Sequence, residues 1–145
     1  MLIRSVFNSH EKIPVRYTID GENISPSIDI MGAPINVKSY VLIFDDPDAP
    51  RGDFVHWIIF NIPGNITRIE EDSIPANSIL GKNDAGKLNY IGPAPPYGVH
   101  RYFFKIYVLD IFLDLKEGAI KKEILESIEG HILEKAELIG VYGRN

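Results

Sequence analysis

Tyr40-Val41-Leu42-Ile43-Phe44-Asp45-Asp46-Pro47-Asp48-Ala49-Pro50 runs on, through Arg51-Gly52-Asp53-Phe54-Val55, into His56-Trp57-Ile58-Ile59-Phe60. The runs Val41 to Phe44 and Trp57 to Phe60 are dense in β-branched and aromatic residues and have no polar alternation. That pattern predicts strands covered on both faces, as in the centre of a packed sandwich. Tyr102 to Leu109 reads as a third strand, and weaker strand signals lie at Leu2 to Phe7, Val15 to Ile19, Ile28 to Ile30 and Leu138 to Tyr142. Asp20-Gly21-Glu22-Asn23 and Pro63-Gly64-Asn65 have turn chemistry, so the chain predicts an antiparallel, mainly β architecture.

After Leu113 the period changes. Ala119, Ile120, Ile124, Leu125, Ile128 and Ile132 recur at three- and four-residue spacing with Lys and Glu between them, which predicts one or two C-terminal helices with a break at Gly130. The segment from Glu70 to Tyr97 is rich in Pro, Gly and Asn and reads as a long loop, a feature that is uncommon without a purpose.

The 145 residues suit one domain, 1–145, able to bury its own core. A hydrophobic fraction of 45% and a net charge of -5 describe an ordinary globular chain with no electrostatic footprint for nucleic acid. No stretch is long and apolar enough to span a membrane, and Met1-Leu2-Ile3-Arg4 does not open a signal peptide, so a cytoplasmic location is expected. The absence of cysteine excludes disulfides, thiolate catalysis and sulfur-ligated zinc.

Two loops carry the chemistry. One is Asp45-Asp46-Pro47-Asp48-Ala49-Pro50 with His56 beyond it; the other is Gly92-Pro93-Ala94-Pro95-Pro96-Tyr97-Gly98-Val99-His100-Arg101-Tyr102. Strand alternation places His100 and Tyr102 on one face and Arg101 on the other, where Arg101 is free to pair with Asp48 or Asp46. The same alternation places Ile58 and Phe60 on the face of His56. The prolines fix φ and keep the two loops from collapsing together, which predicts a preorganised pocket. A carboxylate beside an imidazole raises its pKa, and a protonated His, a Tyr hydroxyl and loop N–H groups together suit a small anion.

Other chemistries fit less well. Asp46, His56 and His100 have the composition of a two-histidine, one-carboxylate iron face, but stiff loops leave such a site little adjustability, and no metal or cofactor is expected. There is no EF-hand, nucleophile elbow, Walker A or dinucleotide fingerprint. Without a nucleophile beside the histidines, binding is favoured over catalysis, and the chain is read as a non-enzyme.

Asp46-Pro47-Asp48-Ala49-Pro50, His56-Trp57 and Gly98-Val99-His100-Arg101-Tyr102 resemble the signature of the phosphatidylethanolamine-binding protein family, in particular its prokaryotic Raf-kinase-inhibitor-like branch. Asp20-Gly21-Glu22-Asn23-Ile24-Ser25-Pro26, Lys82-Asn83-Asp84, Gly92-Pro93-Ala94-Pro95-Pro96 and Gly130-His131-Ile132-Leu133 extend the resemblance, in order, over nearly the whole chain. It implies a Greek-key antiparallel β-sandwich with peripheral C-terminal helices. It also implies an anion pocket lined by Asp46, His56, His100 and Tyr102 and walled by Ala49, Pro50, Gly92, Pro95 and Pro96, with Asp48 and Arg101 in support. Ligands of that pocket in relatives include phosphate-like groups and a phospholipid headgroup, and many prokaryotic relatives are homodimers. The chain departs from the pattern at Ala94, where relatives often have Cys, and at Ile30, where many have Trp. It ends at Asn145, without the extra C-terminal helix of eukaryotic relatives, which favours a phosphate over a whole phospholipid.

The resemblance implies a regulatory protein that inhibits another enzyme, with a chymotrypsin- or elastase-like serine protease as the expected target. Phe112, Leu113, Leu115 and Lys116 form the expected inhibitory loop, with Tyr97 as another contact. The alternatives are a phosphate-ligand sensor, a kinase-pathway regulator and, more remotely, a phosphoester hydrolase using Asp46 and His56 as acid and base.

Overall fold

A computed structural model describes residues 1–144. Among these residues eight strands and one α-helix form: β1 Leu2–Arg4, β2 Ile28–Met31, β3 Ser39–Asp46, β4 Phe54–Pro63, β5 Arg68–Ile69, β6 Ile79–Leu80, β7 Val99–Leu109, α1 Lys121–Ile128 and β8 Ile132–Gly143. Every strand pairing between these elements is antiparallel. The large sheet runs β6-β4-β3-β7-β8 and the small one β1-β2-β5. The mainly β expectation holds.

The absence of alternation in β3 and β4 has the expected cause. Tyr40, Leu42, Phe44, Trp57 and Ile59 pack toward the small sheet, against Ile3, Ile28, Ile30 and Ile69. Val41, Ile43, Ile58 and Phe60 pack on the opposite face, against Leu113, Ala119, Ile124 and Ile128. Each fully buried aliphatic or aromatic side chain of this kind contributes roughly 1.5–3 kcal/mol relative to exposure. With both faces covered, strands β3 and β4 give a rigid base for the loops at their ends.

The helix is single. Its first turn is held by Glu123, whose carboxylate accepts the Ile120 N–H at 3.0 Å and complements the dipole. It stops because Gly130 turns left-handed at φ 81°. Ile132, which continues the helical period in sequence, opens β8 instead, and β8 pairs with β7 over its full length. The tertiary pairing therefore overrides the local pattern, and of the one or two helices expected a single one forms, ending before Gly130.

Val15 to Ile19 is not a strand. Val15–Tyr17 forms a 3₁₀ turn after Pro14, closed by Tyr17 N–H to Pro14 O and Thr18 N–H to Val15 O. Val15 and Ile19 are both exposed, so no half-buried face selects extended structure there. The segment from 70 to 97 is loop apart from the two residues of β6.

One buried ionic cluster sits on the helix side of the large sheet. Asp45 Oδ2 accepts from Lys105 Nζ at 3.1 Å and from Lys121 Nζ at 2.7 Å, and Lys121 reaches Asp53 as well. Burial lowers the Lys121 pKa and its bonds to the two carboxylates raise it, with a net upward shift. This tie fixes the start of α1 to the ends of β3 and β4, where the chemistry lies.

Candidate functional site

Asp46 is the last residue of β3 and points away from Asp45, onto the face of the small sheet. Its Oδ1 accepts the Asp48 N–H at 2.8 Å, so the carboxylate organises its own loop. Its Oδ2 lies 2.7 Å from His100 Nδ1. Asp46 and His100 are 3% and 6% exposed. A carboxylate can only accept here, so Nδ1 carries the proton and Nε2 is the free edge of His100.

Asp48 supports the loop from outside. It accepts from the Arg101 backbone N–H at 2.9 Å and from Arg101 Nε and Nη2 at 2.9 and 2.8 Å. The Arg101 guanidinium is the main reason that the Asp48 carboxyl is held down at about 2. Sequence alternation thus sorts the residues of β7 correctly, and the partner of Arg101 is Asp48 rather than Asp46.

His56 reaches the site by a different route from the one expected. Phe44 pairs with Trp57, and the next residue, Asp45, pairs with Val55. One extra residue is accommodated on β4, and this β-bulge puts His56 and Trp57 on the same side of the sheet. Ile58 and Phe60 consequently face the helix, and the sequence expectation that they share the face of His56 is corrected. His56 Nδ1 donates to Ile91 O at 2.7 Å, which fixes the tautomer and leaves Nε2 free. Burial lowers the His56 pKa, an effect that the Ile91 carbonyl and the charge of Asp46 oppose only in part. This imidazole is neutral at pH 7, contrary to the simple argument that a nearby carboxylate raises it.

Tyr102 is fully buried, and its hydroxyl has no hydrogen-bond partner among the described residues. Burial first, and the charge of Asp46 second, drive its pKa well upward, so it remains a proton donor. The Ala94 N–H lies close enough to temper that rise and the Asp46 carboxylate close enough to add to it, but neither meets hydrogen-bond geometry with the hydroxyl. The Tyr102 ring packs edge-on to His56 at 5.5 Å and nearly parallel to His100 at 6.3 Å.

These groups meet at one cavity of about 200 Å³. Asp46, Ala49, Pro50, His56, Pro95, Pro96, His100 and Tyr102 all line it, together with Phe54, Ile91 and Ala94. Strand spacing could have found Phe54, two residues before His56. Ile91 carries no sequence signal because its part is played by its main chain. Gly92 is not a wall residue: a Cβ there would stand 2.3 Å from Tyr17 O, and its N–H donates to Asn23 Oδ1 at 2.7 Å. Its place is behind the wall, where only hydrogen fits.

Two further residues hold the walls. Asn83, 4% exposed, donates to His56 O and to Asn89 O, and accepts from Ala85 and Lys87 N–H, so the long loop is tied to β4 beside the bulge. Arg144 pairs with Asp20 through two bonds and reaches Pro95 O at 3.4 Å.

The expected inhibitory loop is divided. Leu113 is buried and Leu115 packs partly against the helix-side core, whereas Phe112 is 56% exposed and Lys116 is exposed. Tyr97 is exposed near the pocket loop.

The profile of the family described as phosphatidylethanolamine-binding protein matches residues 4–143. A UPF0098 protein of Methanothermobacter thermautotrophicus is 53% identical over 143 residues, covering 95% of both chains. Another from Pyrococcus horikoshii is 47% identical, covering 98% of this chain and 76% of that one. The crystal structure of a phosphatidylethanolamine-binding protein homologue from Chlamydia trachomatis superposes with a TM-score of 0.95 at 36% identity, covering 99% and 97% of the two chains. That of Escherichia coli YbcL gives 0.92 at 25% identity, covering 99% and 98%. Sequence and fold agree, and the chain belongs to the phosphatidylethanolamine-binding protein family.

Proposed function

We propose that this protein is a non-enzymatic regulator whose pocket captures a small phosphate-like anion, free or as a phospholipid headgroup. The observation that carries this reading is the Tyr102 hydroxyl, buried without a partner, between two imidazoles whose Nδ1 atoms are already engaged. A buried O–H left unpaired costs about 1–3 kcal/mol, and a ligand oxygen relieves that cost. With both Nδ1 atoms engaged, the Nε2 edges are what the two imidazoles offer a ligand.

The anion brings its own charge beside His56, so binding is coupled to proton uptake by that imidazole. His56 starts neutral and gains a proton on binding; the ligand is therefore held more tightly as pH falls. A cavity of about 200 Å³, smaller than the drug-sized class, suits a headgroup better than a larger metabolite. Calorimetric titration of inorganic phosphate and of glycerophosphoethanolamine distinguishes the free anion from the headgroup. Absence of heat with both at pH 6 would refute the reading.

Inhibition of a serine protease is supported by one feature of the 112–116 loop. Phe112 is exposed between two anchored residues: Ser39 Oγ donates to Ile111 O, and Leu113 exchanges two bonds with Asn61. A large side chain on a stiff segment loses little entropy when a protease pocket takes it. Titration of chymotrypsin-like and elastase-like enzymes with wild type and Phe112→Ala tests this. Equal residual activity with either protein would reject Phe112 as the contact.

A further inference from the structure

A second cavity, of about 330 Å³, shares no lining residue with the anion pocket. Trp57 and Tyr90, packed edge to face at 5.3 Å, form part of its wall. Ser25 and Trp57 line it although they are 4% and 1% exposed. Neither the Ser25 hydroxyl nor the Trp57 indole N–H has a hydrogen-bond partner among the described residues, and neither atom is sealed from solvent, so both residues keep a free polar atom at the cavity although they are otherwise enclosed. Asp72 is the one charged residue of the lining and makes no ion pair there among the described residues. Its backbone is fixed in the left-handed region at φ 51°, and its N–H donates to Ser25 O at 3.0 Å, so the carboxylate and the hydroxyl are carried by one tied pair of loops.

We propose that this cavity is a binding site for a small organic ammonium ion that carries an oxygen acceptor a few bonds from its nitrogen. The ammonium group pairs with the Asp72 carboxylate and donates to the Ser25 hydroxyl. The ligand oxygen accepts the Trp57 N–H, and the Ile24 and Ile74 side chains of the lining receive the methylenes between the two ends. The lone negative charge selects cations over anions, which separates this site in chemistry as well as in place from the histidine pocket.

Trp57 is the only tryptophan of the chain, so its emission reads the site directly. Three probes of equal heavy-atom count are titrated at pH 7.5: 3-methoxypropylamine, pentylamine, which lacks the oxygen, and 1-methoxybutane, which lacks the charge. The expected result is a saturable change in emission with 3-methoxypropylammonium, several-fold weaker binding of pentylammonium, and no saturation with the neutral ether. Asp72→Asn, which keeps the shape and tolerates the left-handed backbone, weakens binding at least about tenfold. His100→Ala, in the other pocket, leaves it unchanged. The proposal is overturned by lack of saturation up to about 50 mM, by equal responses to the ammonium probes and the ether, or by a response that His100→Ala abolishes and Asp72→Asn does not.

Discussion

His100 Nδ1 stands 2.7 Å from Asp46 Oδ2 in a setting where both side chains are almost wholly enclosed. The same carboxylate closes the loop through the Asp48 N–H, so one residue sets both the tautomer of the imidazole and the path of the chain around it. Removing it with Asp46→Ala leaves a buried N–H and a buried imidazole edge without acceptors. The expected cost is about 3 kcal/mol, seen in urea denaturation as a lower midpoint. A variant as stable as wild type would mean that the pair does not organise the pocket.

Tyr102→Phe should separate stability from function. It deletes a buried hydroxyl that has no partner in the free protein, so the variant is expected to gain about 1 kcal/mol of stability. It should also lose affinity for phosphate by about tenfold. Thermal unfolding with and without phosphate measures both, and a Tyr102→Phe variant that is destabilised without ligand would show that the hydroxyl is already satisfied.

Gly92→Ala tests the wall from behind. The added methyl meets Tyr17 O and Asn23 Oδ1, both held by the fold, so relaxation requires the loop that carries Ile91 and Pro95 to move. Overpacking of this kind costs roughly 1–3 kcal/mol. Since Ile91 O fixes the His56 tautomer, the variant should also shift the His56 titration followed by NMR. An unchanged titration would place the strain elsewhere.

Acid stability should fall in two separate windows. The folded pKa of His56 lies below its ordinary 6.5, so the unfolded chain binds the extra proton and stability declines as pH drops below about 6.5, until the folded value is passed. Asp48 is held at about 2 against an ordinary 3.8, so its contribution is intact above about 4 and is lost as pH falls toward 2. Arg101 is more than half exposed, and salt should weaken the second window. Unfolding midpoints measured from pH 8 to pH 2 for wild type, His56→Gln and Asp48→Asn check the assignment: each variant should flatten its own window only.

The β7 arrangement could be read from the sequence because an uninterrupted strand obeys a two-residue period; His100, Arg101 and Tyr102 fall where that period puts them. His56 could not be placed by the same rule. The bulge inserts one residue opposite Phe44, and no single residue of Val55-His56-Trp57 signals it. Val15 to Ile19 had strand composition without a neighbour to pair with, and the i to i+3 bonds after Pro14 decided its form. Ile132 had helical spacing but lay beyond Gly130, where pairing with β7 offered more than another turn of helix. Gly92 was legible as essential to the pocket loop, though not as a residue behind it, because a close approach between distant loops leaves no local mark.

A rigid pocket in which His100, His56 and Tyr102 hold a phosphate-like anion should take up a proton as it binds. Isothermal titration of wild type and His100→Ala with inorganic phosphate at pH 6 and pH 8, each in two buffers of different ionisation enthalpy, tests it most directly. Wild type should bind about tenfold more tightly at pH 6, with proton uptake visible in the buffer dependence, and His100→Ala should lose at least about tenfold in affinity. Binding that is absent in wild type, indifferent to pH, or unchanged in His100→Ala would contradict the account.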